Sequence, residues 1–351
     1  MNFQYIVKKL TILCVCAALC MGSLTGCKNQ TKLVFTTGLS GNQLFKIGSK
    51  TCTVPEIMVY LTTFYNQYAD IYGEEMWNYD FGGVSLEAHA KDVVLSKMAQ
   101  IKLMNLMAEE REITLSAEEE QKVLKAAALY YEKLEPEIKE QEKITETVVE
   151  TVYREYALAN KVYSNITETA DMEISDDEAR AVTVQAIYLK NWKLKNQERT
   201  PLSESELLKV LQMAKDALDC AKEGQDFETL AIKYSDDKQY VKSFARGSVE
   251  PHFEEVLFSM DTGDISNVIE TKDGYYIVKC IRTMDYEATQ ENKKVLAEQR
   301  KKEAFTEAYT EVASNIHSQF KDKQWEKLTL QEELHRTDAN FFEIYDEIMK
   351  Q

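Results

Sequence analysis

Glycine and proline are scarce in this chain, with 12 Gly and 4 Pro among 351 residues. Tight turns lean on these two residues, glycine for positive φ and proline for its fixed φ. An all-β chain with many such turns is therefore excluded, and helix should dominate. The 44% hydrophobic and 29% charged residues are those of a folded chain, neither disordered nor collagen-like nor a polytopic membrane protein. The length allows two or three domains. Fifty-nine acidic against 42 basic residues give a formal charge of −17. With no basic stripe in the sequence, that balance excludes a nucleic-acid binder, because phosphate recognition needs clustered Lys and Arg.

The first residues read as a targeting segment. Met1 to Leu10 carry Lys8 and Lys9 and no acid, and Thr11 to Leu24 is an apolar stretch too short to span a bilayer comfortably. The segment ends in Leu24-Thr25-Gly26-Cys27, which resembles the lipobox of bacterial lipoproteins, where the Cys becomes the lipidated first residue of the mature chain. Residues 1–26 are thus expected to be a signal peptide, Cys27 the lipidation site, and 27–50 a tether holding the protein on the extracytoplasmic face of the cell membrane. Cys14, Cys16 and Cys20 leave with the signal, and Cys52, Cys220 and Cys280 remain. Their spacing is wide, no CxxC occurs and three is odd, so neither a zinc site nor a disulfide framework is indicated. Buried small hydrophobes are expected, with a Cys220–Cys280 bridge as the lesser alternative. No metal and no cofactor are expected.

Lys32 to Thr36 reads as one strand. Thr53 and Glu56 form a capping box with Pro55 in the first turn, opening a helix to about Tyr72. Leu86 to about Arg111 shows Val93, Val94, Met98, Ile101, Met104 and Met107 at three- and four-residue steps. Ser116 and Glu119 cap Ala117 to Leu134, and Lys139 to Ile166 reads as one more helix. Ser175 and Glu178 cap a short turn, after which the pattern changes. Val182 to Leu189 is β-rich, and Ser203 and Glu206 open a helix to about Lys222. Phe227 to Tyr234 is helical, Val241 to Phe244 extended and Phe253 to Phe258 helical. Two strands, Ile265 to Glu270 and Tyr275 to Ile281, flank the turn Lys272-Asp273-Gly274. The order is βααβαββ. Glu287 to Phe320 reads as a long charged helix, Trp325 to Leu330 as strand-like, and Ala339 to Met349 as a last helix. The fold class is α+β: a largely helical frame, 51–181 and 286–351, with an inserted domain at 182–285.

Four blocks of that insert occur in an order and spacing that resembles the parvulin family of peptidyl-prolyl cis/trans isomerases. They are Asp226 to Asp237, Ser243 to Phe258, Gly263-Asp-Ile-Ser266 and Thr271 to Val278. With helical segments on both sides and a lipobox, the chain is similar to the PrsA-type and SurA-type foldases, in which a parvulin module lies between segments forming a chaperone domain. The resemblance implies a proline pocket on Phe253, with Val249, Val241 and Tyr188 as further substrate-binding residues. It places the polar catalytic positions on Asp237, Thr271 and Tyr276. Many parvulins carry one His in the first strand and another in the last; here those positions are Ala186 and Tyr276. The implied function is a membrane-anchored foldase that binds unfolded secreted proteins and isomerises X-Pro bonds, without cofactor. A homodimer is left open.

The competing reading is a non-enzymatic holdase with a degenerate parvulin domain. Its support is the Met98, Met104, Met107 stripe with Tyr130, Tyr131 and Tyr153, since Met and aromatic residues suit promiscuous surfaces. A two-lobed solute binder lacks its βαβ alternation. No nucleophile elbow, HExxH or phosphate loop is present. The negative charge concentrates in Lys28 to Ala181, with 27 acids against 16 bases, whereas Val182 to Asp285 holds 18 against 14. An acidic frame of this kind is repelled by anionic lipid and would be held near the membrane by its anchor.

Overall fold

The computed structural model describes residue 39 and residues 41–73, 77, 83–169, 173–329 and 337–350. The expected signal peptide, Cys27 and the Lys32–Thr36 strand lie outside the described residues. No helix among the described residues is long and apolar enough to cross a membrane. The chain divides into two units, residues 1–170 with 302–351, and residues 171–301.

In the first unit, strands β1 (Gln43–Ile47) and β2 (Lys50–Thr53) form a hairpin, and β9 (Ser318–Phe320) pairs with the other edge of β1. Helices α1 (Val54–Tyr72), α2 (Leu86–Glu110), α3 (Ala117–Lys133), α4 (Pro136–Gln141), α5 (Glu146–Glu168) and α11 (Phe341–Met349) complete the unit with the short α10 (Asp322–Glu326). The capping boxes at Thr53 and Ser116 are formed. Three of the four prolines lie in first turns, where the missing N–H costs nothing: Pro55, Pro136 and, in the second unit, Pro251.

Three expectations fail here. Lys139 to Ile166 is not one helix, because Lys143 takes φ +55° and the Thr145 hydroxyl accepts from Val148 N at 3.3 Å, starting α5 afresh. The long charged helix α9 (Tyr286–Ser314) stops short of Phe320, whose segment is drawn into the sheet by pairing Phe45↔Phe320 and Ile47↔Ser318. The piece beginning at Trp325 is not extended: Trp325 lies in α10, buried, with the Lys91 ammonium 4.9 Å from its ring centroid.

The core of this unit is aromatic. Phe341 at the start of α11 is fully buried and stacks on Tyr153 of α5 at 4.1 Å between centroids, with Tyr60 of α1 at 4.8 Å. Two of the buried phenols find backbone partners, Tyr153 OH donating to Phe341 O at 3.0 Å and Tyr130 OH to Val59 O at 3.2 Å. Met98, Met104, Met107, Tyr130 and Tyr153 are all buried in this core. The stripe proposed as a holdase surface is therefore packing, as a three-and-four periodicity most simply implies; of its residues only Tyr131 is part-exposed. A lysine also lies inside: Lys102 of α2 is 1% exposed, between Glu56 of α1 and Glu155 of α5.

The second unit is built on strands β3 (Ala181–Lys190), β6 (Val241–Ala245), β7 (Ile269–Thr271) and β8 (Gly274–Arg282), in the order β6-β3-β8-β7, antiparallel throughout. Alternate residues point to opposite faces. Ile187, Leu189, Tyr275 and Ile277 pack under α6 (Glu204–Lys222) and α7 (Phe227–Tyr234), while Val182, Val184, Ala186 and Val278 pack with Phe253 and Leu257 of α8 (Pro251–Ser259). A hairpin absent from the sequence reading, β4 (Trp192–Lys195) and β5 (Glu198–Pro201), stands between β3 and α6. Its turn residues Asn196 and Gln197 have φ +52° and +68°, the pair of positive values a two-residue hairpin requires, here without the usual glycine. The strand expected from Ile265 is shorter, since Ile265 makes only a single bridge to Lys279 before β7 begins at Ile269.

This unit reaches beyond 182–285 at both ends, and ion pairs account for it. Arg300 of α9 bonds Glu173 O and Glu178, Lys293 pairs with Asp176, and Asp285 caps α9 through Ala288 N. The first half of α9 is thus tied to the turn opened by Ser175 and to the start of β3, where Ala181 N donates to Thr289 Oγ1 at 3.0 Å.

Candidate functional site

Four elements converge on the α8 face of the sheet. Tyr188 of β3 and Tyr276 of β8 are cross-strand partners, and their rings stack at 4.7 Å between centroids. The ring of Phe253, buried at the first turn of α8, lies 4.9 Å from Tyr276 and 5.4 Å from Phe244. Val249 packs in the same cluster. The register is fixed by Gly274, at φ +151°, where a Cβ would stand 2.2 Å from Leu189 O; no other residue lets β8 start so close to β3. Tyr188 OH donates to Asp273 O at 2.7 Å, holding the same turn.

Asp237 follows α7 in a loop that replaces a strand along the outer half of β3. Ser235 Oγ accepts from Tyr188 N at 3.1 Å and from Asp237 N at 3.2 Å, and Asp236 N donates to Tyr188 O at 2.7 Å. The Asp237 carboxylate accepts from Lys242 Nζ at 2.6 Å on Oδ2 and from Gln239 N at 2.9 Å on Oδ1. The Lys242 bond, followed by the Gln239 amide, holds this carboxyl below its ordinary value. The Tyr276 phenol is pushed up to about 12, first by burial and then by Tyr188 and the charges of Asp237 and Asp273. It remains a protonated donor at any physiological pH, and among the described residues its hydroxyl makes no hydrogen bond.

Of the residues singled out in the sequence, Phe253, Val249, Tyr188 and Tyr276 come together, and the charge of Asp237 acts on Tyr276. Val241 is 44% exposed and belongs to neither core cluster. The Thr271 hydroxyl donates to Gly274 O at 2.9 Å and is engaged in the turn. Ala186 is buried opposite Val278. His252 is exposed beside Glu250 and bonds the Glu270 carbonyl. The sequence reading missed Ser235, Phe244 and Lys242. Phe244 and Ser235 lie within or beside the blocks quoted above, but nothing local announces that Lys242 reaches back five residues to Asp237. Cys52, Cys220 and Cys280 are free thiols, so the Cys220–Cys280 bridge is not formed. Among the described residues no group of three or more His, Cys, Asp or Glu could hold a metal ion. A cavity of about 350 Å³ in the first unit, lined by residues including Lys46, Gly48 and His317, contains none of the residues singled out.

Residues 194–282 match the family model described as Rotamase: PPIC-type PPIASE domain. The chain is 26% identical over 219 residues to "Foldase protein PrsA" of Caldanaerobacter subterraneus subsp. tengcongensis, covering 60% of this chain and 63% of that protein. It is 28% identical over 145 residues to the protein of the same description from Oceanobacillus iheyensis, covering 40% and 42%. The chain thus spans less than two thirds of the length of each of these relatives. The crystal structure of peptidylprolyl isomerase (PrsA) from Bacillus cereus aligns with 15% identity and a TM-score of 0.37, over 88% of this chain and 99% of that one. The four-stranded sheet with its three helices is a mixed helical and sheet fold, and the chain carries a PPIC-type parvulin domain and is similar to the PrsA foldases.

Proposed function

We propose that this protein is a lipid-anchored extracytoplasmic foldase, attached through Cys27, that binds unfolded secreted polypeptides and isomerises their X-Pro bonds. The X-Pro amide is planar by resonance and rotates over a barrier of about 18–20 kcal/mol, so the uncatalysed event takes tens to hundreds of seconds. Catalysis needs no covalent step. It needs an apolar seat for the proline ring, a site shielded from water, and a preference for the twisted amide over either planar form. Phe253, with Val249 and Phe244 beside it, supplies the seat. The Tyr276 hydroxyl, on a ring packed against Phe253 and without a hydrogen-bond partner among the described residues, supplies a donor to the twisting amide. That pairing of buried aromatic floor and unengaged donor is the observation that carries the reading. Asp237 acts as a fixed negative charge beside it, and Tyr188 as the wall on which Tyr276 stacks. Thr271 contributes by holding the β7–β8 turn, and Val241 by an apolar rim.

The residues of the first unit serve in this proposal as a chaperone-like domain, with 302–351 contributing its last helices. A second reading, a holdase whose parvulin domain is inactive, is favoured by one observation: Ala186 and Tyr276 stand where many parvulins have histidines. A protease-free assay of prolyl isomerisation on the mature chain separates the two. A rate above buffer that scales with protein concentration supports the enzyme. A rate equal to buffer at high protein concentration, with client aggregation still suppressed, supports the holdase.

A further inference from the structure

Resting on the prolyl-site reading above, we infer that Lys242 is a positioning residue for that site, acting through Asp237. Asp237 lies in the loop between α7 and β6, a segment with no strand or helix of its own. Three contacts define where its carboxylate points. Ser235 Oγ takes the Asp237 backbone N–H, Gln239 N holds Oδ1, and Lys242 Nζ holds Oδ2 at 2.6 Å. The first fixes the backbone, through a hydroxyl that also takes Tyr188 N of β3, and the second lies within the loop. Lys242 alone comes from the sheet, on β6, where its backbone pairs with Val184 of β3. Backbone bonds already tie the loop to Tyr188 of β3, so what the ion pair adds is the direction of the carboxylate relative to the sheet that carries Tyr188 and, one strand further, Tyr276. Its side chain is only 25% exposed, which leaves the ammonium little freedom to find another partner.

Charge matters as well as position. Lys242 from β6 bonds the Asp237 carboxylate and Lys190 from β3 adds its charge, while the charge of Asp237 acts in turn on Tyr276 of β8. With Lys242 in place the carboxylate stays ionised and is pinned away from roles as an acid. Without it, Lys190 is the remaining cation and the carboxyl can swing, take up a proton at higher pH, or accept from the Tyr276 hydroxyl that the reaction needs.

The test compares wild type, Lys242→Met, Lys242→Arg, Asp237→Asn and the double variant Lys242→Met/Asp237→Asn in the mature chain. The measurements are kcat and KM for a proline tetrapeptide across pH 3.5 to 8, with urea unfolding of each variant as the check on folding. Lys242→Met should lower kcat by about fivefold or more, within the range of coupling seen for residues in direct contact, while KM changes less. Its acid limb should move to higher pH than in wild type, because the carboxyl returns toward the ordinary value of about 3.9. Lys242→Arg should restore most of both. The double variant should be no worse than Asp237→Asn alone, since the lysine has nothing left to position. Additive losses in the double variant, or a Lys242→Met protein with the wild-type kcat and pH profile, overturn the inference and leave the isomerase reading intact. A wild-type protein that neither turns over the peptide nor shifts the Tyr276 resonances on titration with it ends that reading and this inference with it.

Discussion

Replacing Lys102 with methionine should cost more stability than any surface change in this protein. Its ammonium is 2.8 Å from Glu56 Oε1 and 2.7 Å from Glu155 Oε2, with the lysine side chain 1% exposed. At an effective dielectric of about 20, each contact is worth roughly 6 kcal/mol before desolvation. Much of that is offset by taking three charges out of water, so the pair is a weak source of net stability while intact. Methionine keeps the volume and removes the charge, leaving two carboxylates in the core. Glu56 retains the Thr53 amide and hydroxyl of its capping box. Among the described residues Glu155 retains no comparable donor, and its carboxyl is already raised above the ordinary value by burial, against the pull of Lys102. The expected loss is about 3–5 kcal/mol, the usual cost of orphaning a buried charge.

The pH dependence has a definite sign. A carboxyl whose folded pKa exceeds its unfolded value stabilises the fold fully below the unfolded value, near 4.3, and loses that contribution as pH rises through the folded one. Removing Lys102 raises the folded value of Glu155 further, so the deficit of the variant should shrink as pH falls from 7 toward 5. Guanidinium midpoints followed by near-ultraviolet circular dichroism of the tyrosine core measure this at both pH values. Hydrogen exchange should show the loss in peptides of α1, α2 and α5 and not in those of β3 and β8. A loss under about 1 kcal/mol, or an equal loss at pH 7 and pH 5, would refute the reasoning, for a buried carboxylate left unpaired must respond to its own titration.

Three further outcomes are expected. Gly274→Ala should destabilise the second unit by at least the roughly 1–3 kcal/mol of a strained backbone position, because its Cβ meets Leu189 O at 2.2 Å; a wild-type urea midpoint for that unit contradicts the close approach. Tyr276→Phe keeps both ring contacts and should leave the melting temperature within about a degree or two, yet slow isomerisation by about two- to tenfold, the worth of one hydrogen bond; unchanged kinetics would remove the hydroxyl from the site. Asp285→Ala removes the α9 cap and the bonds from Ser243 and Thr183 at 2.6 and 2.9 Å, and should cost about 2 kcal/mol at pH 7. Ser243, ahead of Thr183, lowers the Asp285 carboxyl, so its contribution is present above about pH 3.9 and lost as pH falls through the folded value; a variant deficit that persists unchanged at pH 2 would show that the carboxylate is not its source.

What was legible in the sequence has a common physical character. The capping boxes at Thr53, Ser116 and Ser203 involve residues three apart, and all are formed. The helices of the second unit end where their periodic residues end, α7 at Phe227 and Tyr234. These are interactions closed within one turn, so the one-dimensional order contains both partners. The site was half legible for the same reason: the blocks around Asp237, Phe253 and Tyr276 are short, and their order is that of the parvulin domain.

The rest was decided across the fold. The segment at Ser318 became a strand because Phe45 was there to pair with it, more than 270 residues away in sequence. The Met98, Met104 and Met107 stripe became core rather than client surface because α5 and α1 pack on α2, and periodicity cannot say what covers an apolar face. Lys102 reads as one more surface charge until Glu56 and Glu155 are brought around it. Lys242 becomes part of the site only when β6 lies against β3 and brings its ammonium to Asp237. Sequence alone determined the local hydrogen bonds and the apolar periods. Tertiary structure decided which charges are buried together and which apolar stripes face one another, because those depend on burial, and burial is a property of the assembled layers.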